Sequence, residues 1–208
     1  MKREENARRG QDEARSNQAH KMFERSFYDV KTSGYKGIED KETQVKGVDA
    51  IFTYDGEEYL CDEKAAVNYA GKNLQTFSLE LGFIDRGNNW KSGWFVNDGN
   101  LTNSYLFAWF DNDTFEIALV RKQDIEKYLD NIGWHKGNLV RKEQLMREGK
   151  NTATGNIWTN GCKFSFSERL PEKPINILVP RSELVRISVF TGRFQYDEMD
   201  KEILGINI

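Results

Sequence analysis

Apolar residues recur along this chain with two different periods. Over residues 11–30 (QDEARSNQAHKMFERSFYDV) they gather at Met22, Phe23, Phe27 and Tyr28, a spacing that suits the last turns of an amphipathic helix. A Gly-bearing polar loop, KTSGYKGIEDKE, is expected over 31–42. Two strands follow, Gln44–Tyr54 and Glu58–Val67, joined by Asp55-Gly56, a favoured hairpin dipeptide. Leu74–Leu81 (LQTFSLEL) alternates cleanly and reads as a third strand of the same meander. The Gly- and Asn-rich IDRGNNWKSGWFVNDGN is expected to be a long loop with one short element. NSYLFAWF and TFEIALV then form a second hairpin around Asp111-Asn112-Asp113. A helix over RKQDIEKYLDNI follows, then a polar, loop-like stretch over 136–160. Near the end a strand, INILVP, runs into a helix, RSELVRISV, and further strands lead to a short final helix. Strands that feed helices in this way predict a mixed α/β fold. Residues 1–10 are expected to be a disordered charged tail. Residues 11–208 read as a single domain, with a core over 11–120 and a C-terminal elaboration over 121–208.

Composition narrows the chemistry. The 208 residues include only two cysteines and two histidines, too few for a Cys/His zinc site or a disulfide framework. Net charge is -3, so any nucleic-acid affinity must come from local basic segments such as Lys136–Arg147 or Arg181–Arg193. There is no apolar run of membrane-spanning length and no signal-peptide core, which leads to the expectation of a cytoplasmic protein without membrane contact. Walker, GxGxxG and GxSxG motifs are missing, so nucleotide-binding and serine-hydrolase readings have no motif behind them.

What stands out is charge placed mid-strand. Side chains alternate along a strand, so Leu60, Asp62 and Lys64 share one face while Cys61 and Glu63 take the other. A symmetric two-residue turn at Asp55-Gly56 opposes residues whose numbers sum to 111, which sets Asp49 against Asp62. Paired carboxylates raise each other's pKa unless a cation lies between them. Mg²⁺ takes a few carboxylate oxygens and keeps waters, and an adjacent lysine can act on such a water or on a phosphate.

Asp49, followed by Asp62-Glu63-Lys64 on the next strand, resembles the PD-(D/E)XK motif of the restriction-endonuclease-like nucleases. The order of helix, Asp strand, Asp-x-Lys strand and third strand is similar to that family's core, and the resemblance covers residues 11–120. It departs at position 48, where Val replaces the family's proline, and the helix that the family places after the third strand is not evident. The resemblance implies a restriction-endonuclease-like α/β core, a mixed central sheet flanked by helices. It implies a Mg²⁺-dependent endonuclease or exonuclease, with Mn²⁺ substituting, that acts on nucleic acid, DNA before RNA, and is open to homodimer formation. Asp49, Asp62 and Lys64 would be catalytic. The metal would be held by Asp49, Asp62, the main-chain carbonyl of Glu63, and Glu24 on the first helix, with Glu13 a weaker candidate. Gln75, Lys91 and Ser92 are the substrate-contact candidates.

Plainer readings stand beside these. Asp62 and Lys64 can be a solvated i, i+2 ion pair, and Asp49 a strand-end cap. Trp90 and Trp94 fit packing better than base stacking, and His135 fits an exposed loop. Cys61 reads as a buried filler. The rival to the nuclease is a catalytically inert module of the same fold that binds DNA or a protein. A third reading is an α/β interaction protein with a chance motif.

Overall fold

In the computed structural model the described residues are 2–85, 87–148, 158–159, 161–167, 170 and 172–206, with 2–10 and 158–159 described as backbone. Helix α1 (Lys2–Phe23) passes through a wide π turn (Glu24–Tyr28) into the short α2 (Asp29–Lys31). Next come β1 (Ser33–Gly37), α3 (Lys41–Val45), β2 (Ala50–Tyr54) and β3 (Glu57–Ala65). They are followed by β4 (Thr76–Ile84), β5 (Trp90–Ser92), β6 (Ser104–Phe110) and β7 (Thr114–Arg121). Helices α4 (Lys122–Asn131) and α5 (Lys136–Arg147) precede β8 (Trp158–Thr159), β9 (Cys162–Phe166) and β10 (Ile175–Pro180). The chain then forms α6 (Arg181–Ile187), β11 (Phe190–Gln195) and α7 (Glu198–Leu204). The fold is mixed α/β, and its contacts form two units: Met1–Leu74 with Leu101–Arg121 and Ser188–Ile208, and Gln75–Asn100 with Lys122–Ile187.

The first unit is built on a six-stranded mixed sheet in the order β1-β2-β3-β6-β7-β11. The β2–β3 register is Ala50 opposite Cys61 through Tyr54 opposite Glu57, so each pair sums to 111 as the turn predicts. Both turn residues have positive φ, Asp55 at 51° and Gly56 at 79°, which matches the right-handed strand twist. On its other side β3 pairs with β6 in parallel, Asp62 beside Tyr105 and Lys64 beside Phe107. The expected third strand of the meander is therefore not β3's neighbour: β4 belongs to the other sheet. Strand β6 is buried on both faces, which explains its unbroken apolar run and its central place.

Two further corrections concern the stretch expected to be loop and strand over 31–54. It holds an edge strand, β1, paired with β2, and a helix, α3, that takes the start of the expected strand. Asp40 caps that helix by accepting from the Thr43 amide at 2.8 Å. The apolar spacing of α1 also has a specific cause. Met22 to Phe27 and Phe23 to Tyr28 are five residues apart, one too many for a regular turn, and the π turn absorbs the extra residue. All four side chains are thereby buried, in a cluster with Ala50, Phe52, Cys61, Leu106 and Ile117. Helix α7 fastens this helix: Gln18 Nε2 donates to the buried Asp200 at 2.7 Å, and Arg25 pairs with both Asp197 and Asp200.

The second unit has a five-stranded antiparallel sheet, β5-β4-β10-β9-β8, with α5 and α6 packed against β4 and β10. Residues 136–147 were expected to be loop and are helix. The apolar stripe of α5 is thin, with Leu139 and Met146 its buried residues, so polarity masked the period. The part of that expected loop at 149–157 lies outside the described residues. Among the described residues no helix is long and apolar enough to cross a membrane.

Candidate active site

The regular register ends at Ala50 opposite Cys61, and Asp49, expected mid-strand opposite Asp62, instead precedes β2 and meets β3 at Cys61 and Glu63. The Asp49 amide donates to the Cys61 carbonyl at 2.8 Å, and an Asp49 carboxylate oxygen accepts from the Glu63 amide at 2.9 Å. Asp49 is therefore locked onto the edge of β3 by main-chain bonds on both sides of Asp62. The Asp62 side chain hydrogen-bonds Asp49, and its Oδ1 lies 2.6 Å from Lys64 Nζ. Strand parity puts Asp62 and Lys64 on one face, as their contact requires.

The surroundings set the charge state. Asp62 is only 3% exposed, and Tyr105 and Phe107 stand beside it and Lys64 on the parallel strand. Burial raises the Asp62 pKa, Lys64 lowers it, and Asp49 raises it again, leaving it pushed up to about 7. Near neutral pH Asp62 thus keeps part of its protonated form, and an opposing cation would favour the charged one. Two carboxylates with hard oxygens suit Mg²⁺ or Mn²⁺ better than Zn²⁺. Among the described residues no group of three or more His, Cys, Asp or Glu side chains is arranged to hold a metal. An ion here would complete its shell with main-chain oxygen and water, as Mg²⁺ commonly does.

Glu63 points the other way, toward α1. Its carboxylate meets His20 Nδ1 at 2.8 Å and accepts from the Tyr28 hydroxyl at 2.9 Å. His20 Nε2 lies 3.3 Å from the Tyr35 hydroxyl, which donates to Glu24 at 3.3 Å. Both imidazole nitrogens therefore face acceptors, which favours the charged ring. The Glu63 bond raises the His20 pKa, burial opposes it, and Glu63, Glu24 and Asp49 raise it through their charge. Tyr28 and Tyr35 stack with ring centres 4.3 Å apart, and burial raises both hydroxyl pKa values.

The structure thus brings Asp49, Asp62, Lys64 and the Glu63 backbone together. It joins Glu24 to the Glu63 side chain through His20 and Tyr35. Gln75, Lys91 and Ser92 are exposed and lie in the second unit, Lys91 3.8 Å from Asp85. His135 caps α5 by accepting from the Asn138 amide, and Trp90 packs near Phe166 and Arg147. Cys61 is fully buried, with its thiol pKa raised by burial. Sequence reasoning missed His20, Tyr28 and Tyr35. The available signal was His20 and Glu24 at i, i+4 on the helix, with Glu63 facing it by parity. No protein-family model matches the chain, no curated protein matches it in sequence, and no solved structure matches its fold.

Proposed function

We propose that this chain is a cytoplasmic, Mg²⁺-dependent nuclease of the PD-(D/E)XK type that hydrolyses phosphodiester bonds, in DNA before RNA. The observation that carries the reading is Asp62: nearly buried, with a pKa near 7, and set against both Asp49 and Lys64. A solvated surface pair has neither the burial nor the second carboxylate. Topology supports it only coarsely: α1 packs against the mixed sheet that holds the Asp62-x-Lys64 strand, with Asp49 just before β2, while the expected third strand, β4, belongs to the other sheet. In this reading the sheet is a restriction-endonuclease-like core.

Asp49, Asp62 and the Glu63 carbonyl would hold the ion, whereas Glu24, tied to His20 and Tyr35 beside the Glu63 side chain, stands on the face of β3 away from Asp62. When bound, Mg²⁺ supplies charge at the phosphate and acidifies an attacking water. With an ion present, Asp62 would release its proton to solvent, and both carboxylates would serve as ligands. Lys64, 2.6 Å from Asp62, would orient the attacking water, take its proton or offset charge on the phosphate. The bonds from Asp49 to β3 keep the two carboxylates from drifting apart, a form of preorganisation that costs nothing during turnover.

A second reading has its own observation: two side-chain carboxylates are a sparse metal set, and Lys64 already neutralises one of them. In that case the chain is an inert binding module of the same fold. The test is incubation with supercoiled plasmid, linear duplex and single-stranded DNA in Mg²⁺ or Mn²⁺, beside the Asp62→Ala/Lys64→Ala double variant. Cleavage that vanishes in the variant is the expected result. Identical cleavage by both proteins sinks the assignment of these residues.

A further inference from the structure

The second unit contains a cavity of about 440 Å³ that the hydrolytic site does not use. It is built on the GWFV stretch after β5. Gly93 lies so close to β4 that an added Cβ would sit 2.3 Å from the Glu80 carbonyl oxygen, so only glycine fits without displacing backbone. The Gly93 amide donates to Leu81 and the Phe95 amide to Glu80, which holds the backbone of the almost wholly buried Phe95 at one side of the cavity. Trp134 is another wall, held by its amide bond to the Leu129 carbonyl at 2.8 Å and by edge contact with Phe164 at 4.7 Å. Leu139 completes an apolar and aromatic lining that exists before any ligand arrives.

Its polar groups decide what can enter. Glu126 and Asp130 stand one turn apart on α4, both exposed and both lining the cavity. The lining ammonium, Lys136, is engaged by Asp98. His135 also lines the cavity, with Nδ1 accepting from the Asn138 amide, so the charged side chains of the lining are two carboxylates and one paired ammonium, a balance that disfavours a phosphate inside. A flat ring with amino groups is favoured instead, because the half-buried Trp134 offers an aromatic surface and the carboxylates accept from N–H. The volume is ample for one base. Cations for the flanking phosphates stand further along α5, where Arg141 and Arg147 are exposed.

We propose that this cavity takes an unstacked base carrying an exocyclic amino group, presented by single-stranded or distorted DNA, with Glu126 and Asp130 accepting from that amino group. The DNA part of this proposal rests on the nuclease reading above; the base preference does not. The test is anisotropy of fluorescein-labelled oligo-deoxycytidine, oligo-deoxyadenosine and oligo-deoxythymidine, with full-length protein and no divalent metal. Thymine lacks the amino group and serves as the negative base.

Cytosine and adenine oligomers are expected to bind about tenfold or more tightly than thymine, the scale of a charged hydrogen bond. In the Glu126→Gln/Asp130→Asn variant, whose changes are on exposed side chains, that preference should disappear while thymine binding is kept. Equal binding of the three oligomers, no binding of any, or an unchanged preference in the variant overturns the proposal. Cleavage dependent on Asp62 and Lys64 is read separately. Base-blind binding with intact cleavage removes only the cavity's role, and base-selective binding without such cleavage removes only the hydrolytic reading.

Discussion

Two adjacent residues of β3 show opposite treatments of a buried carboxylate. Glu63 faces α1 and is given two donors, a histidine and a tyrosine hydroxyl. Asp62 faces the other way and is given one lysine and a competing carboxylate, so its pKa rises to about 7. The first arrangement is satisfied as it stands, whereas the second leaves a proton in a place where a doubly charged ion would fit better. A buried polar group that is fully paired fixes structure. One that is left off balance is a common mark of a functional site.

Substitutions on the two faces should therefore separate function from stability. The largest contrast is in catalysis. Lys64→Ala or Asp62→Ala should lower cleavage by about 10²- to 10⁴-fold, the range for removing a positioned proton-transfer group. Glu63→Gln, which keeps the backbone and an acceptor for Tyr28, should retain most of it, and a plasmid assay on the three variants reads the difference. Loss of the same size in Glu63→Gln would break the distinction between the faces.

Next in size is stability. Glu63→Ala removes the acceptor from both His20 and Tyr28, and should cost about 1–3 kcal/mol in denaturant unfolding. Because Glu63 contributes to the raised His20 pKa, Glu63→Gln should also move the His20 titration, followed by NMR, down toward 6.5.

The smallest effect is the most diagnostic of Asp62. Its folded pKa stands above the ordinary aspartate value of 3.8, so the folded state binds the proton more tightly than the unfolded chain does. The associated stability is complete below about pH 4 and is lost as pH rises through about 7. Asp62→Asn removes that loss. The melting temperature of Asp62→Asn relative to the parent should therefore increase between pH 5 and pH 8, by a few degrees. A difference that stays flat across this window would mean that the Asp62 carboxylate is not penalised by burial. His20 has the same sign, its stabilisation fading as pH passes its raised pKa, so His20 must be intact in both proteins compared.

How much of this was legible in the chain depended on distance along it. The β2–β3 register was legible from Ala50 to Tyr54 because the turn residues and both strands are local; counting also brought Asp49 near Asp62, but the regular pairing ends before it and the two meet through their side chains. The neighbour of β3 on its other side was not, because parallel pairing needs a crossover and here it is β6 that returns. The alternating strand after Asp-x-Lys looked like the natural neighbour, yet it joins the second sheet, and Gln75 goes with that unit. Edge strand β1 was hidden because its sequence, SGYKG, has almost no apolar content, as an exposed edge requires. The five-residue spacing of Met22, Phe23, Phe27 and Tyr28 was visible as a pattern, but only the π turn explains it.

Asp62, set beside Asp49, should exchange its proton for a divalent cation, and Mn²⁺ titration by calorimetry across pH tests this most directly. Affinity should rise about tenfold per pH unit up to about pH 7, level off above it, release protons in the lower range and vanish in Asp49→Ala/Asp62→Ala. Mn²⁺ binding that is indifferent to pH or survives that double substitution, or no binding at pH 8, would contradict it.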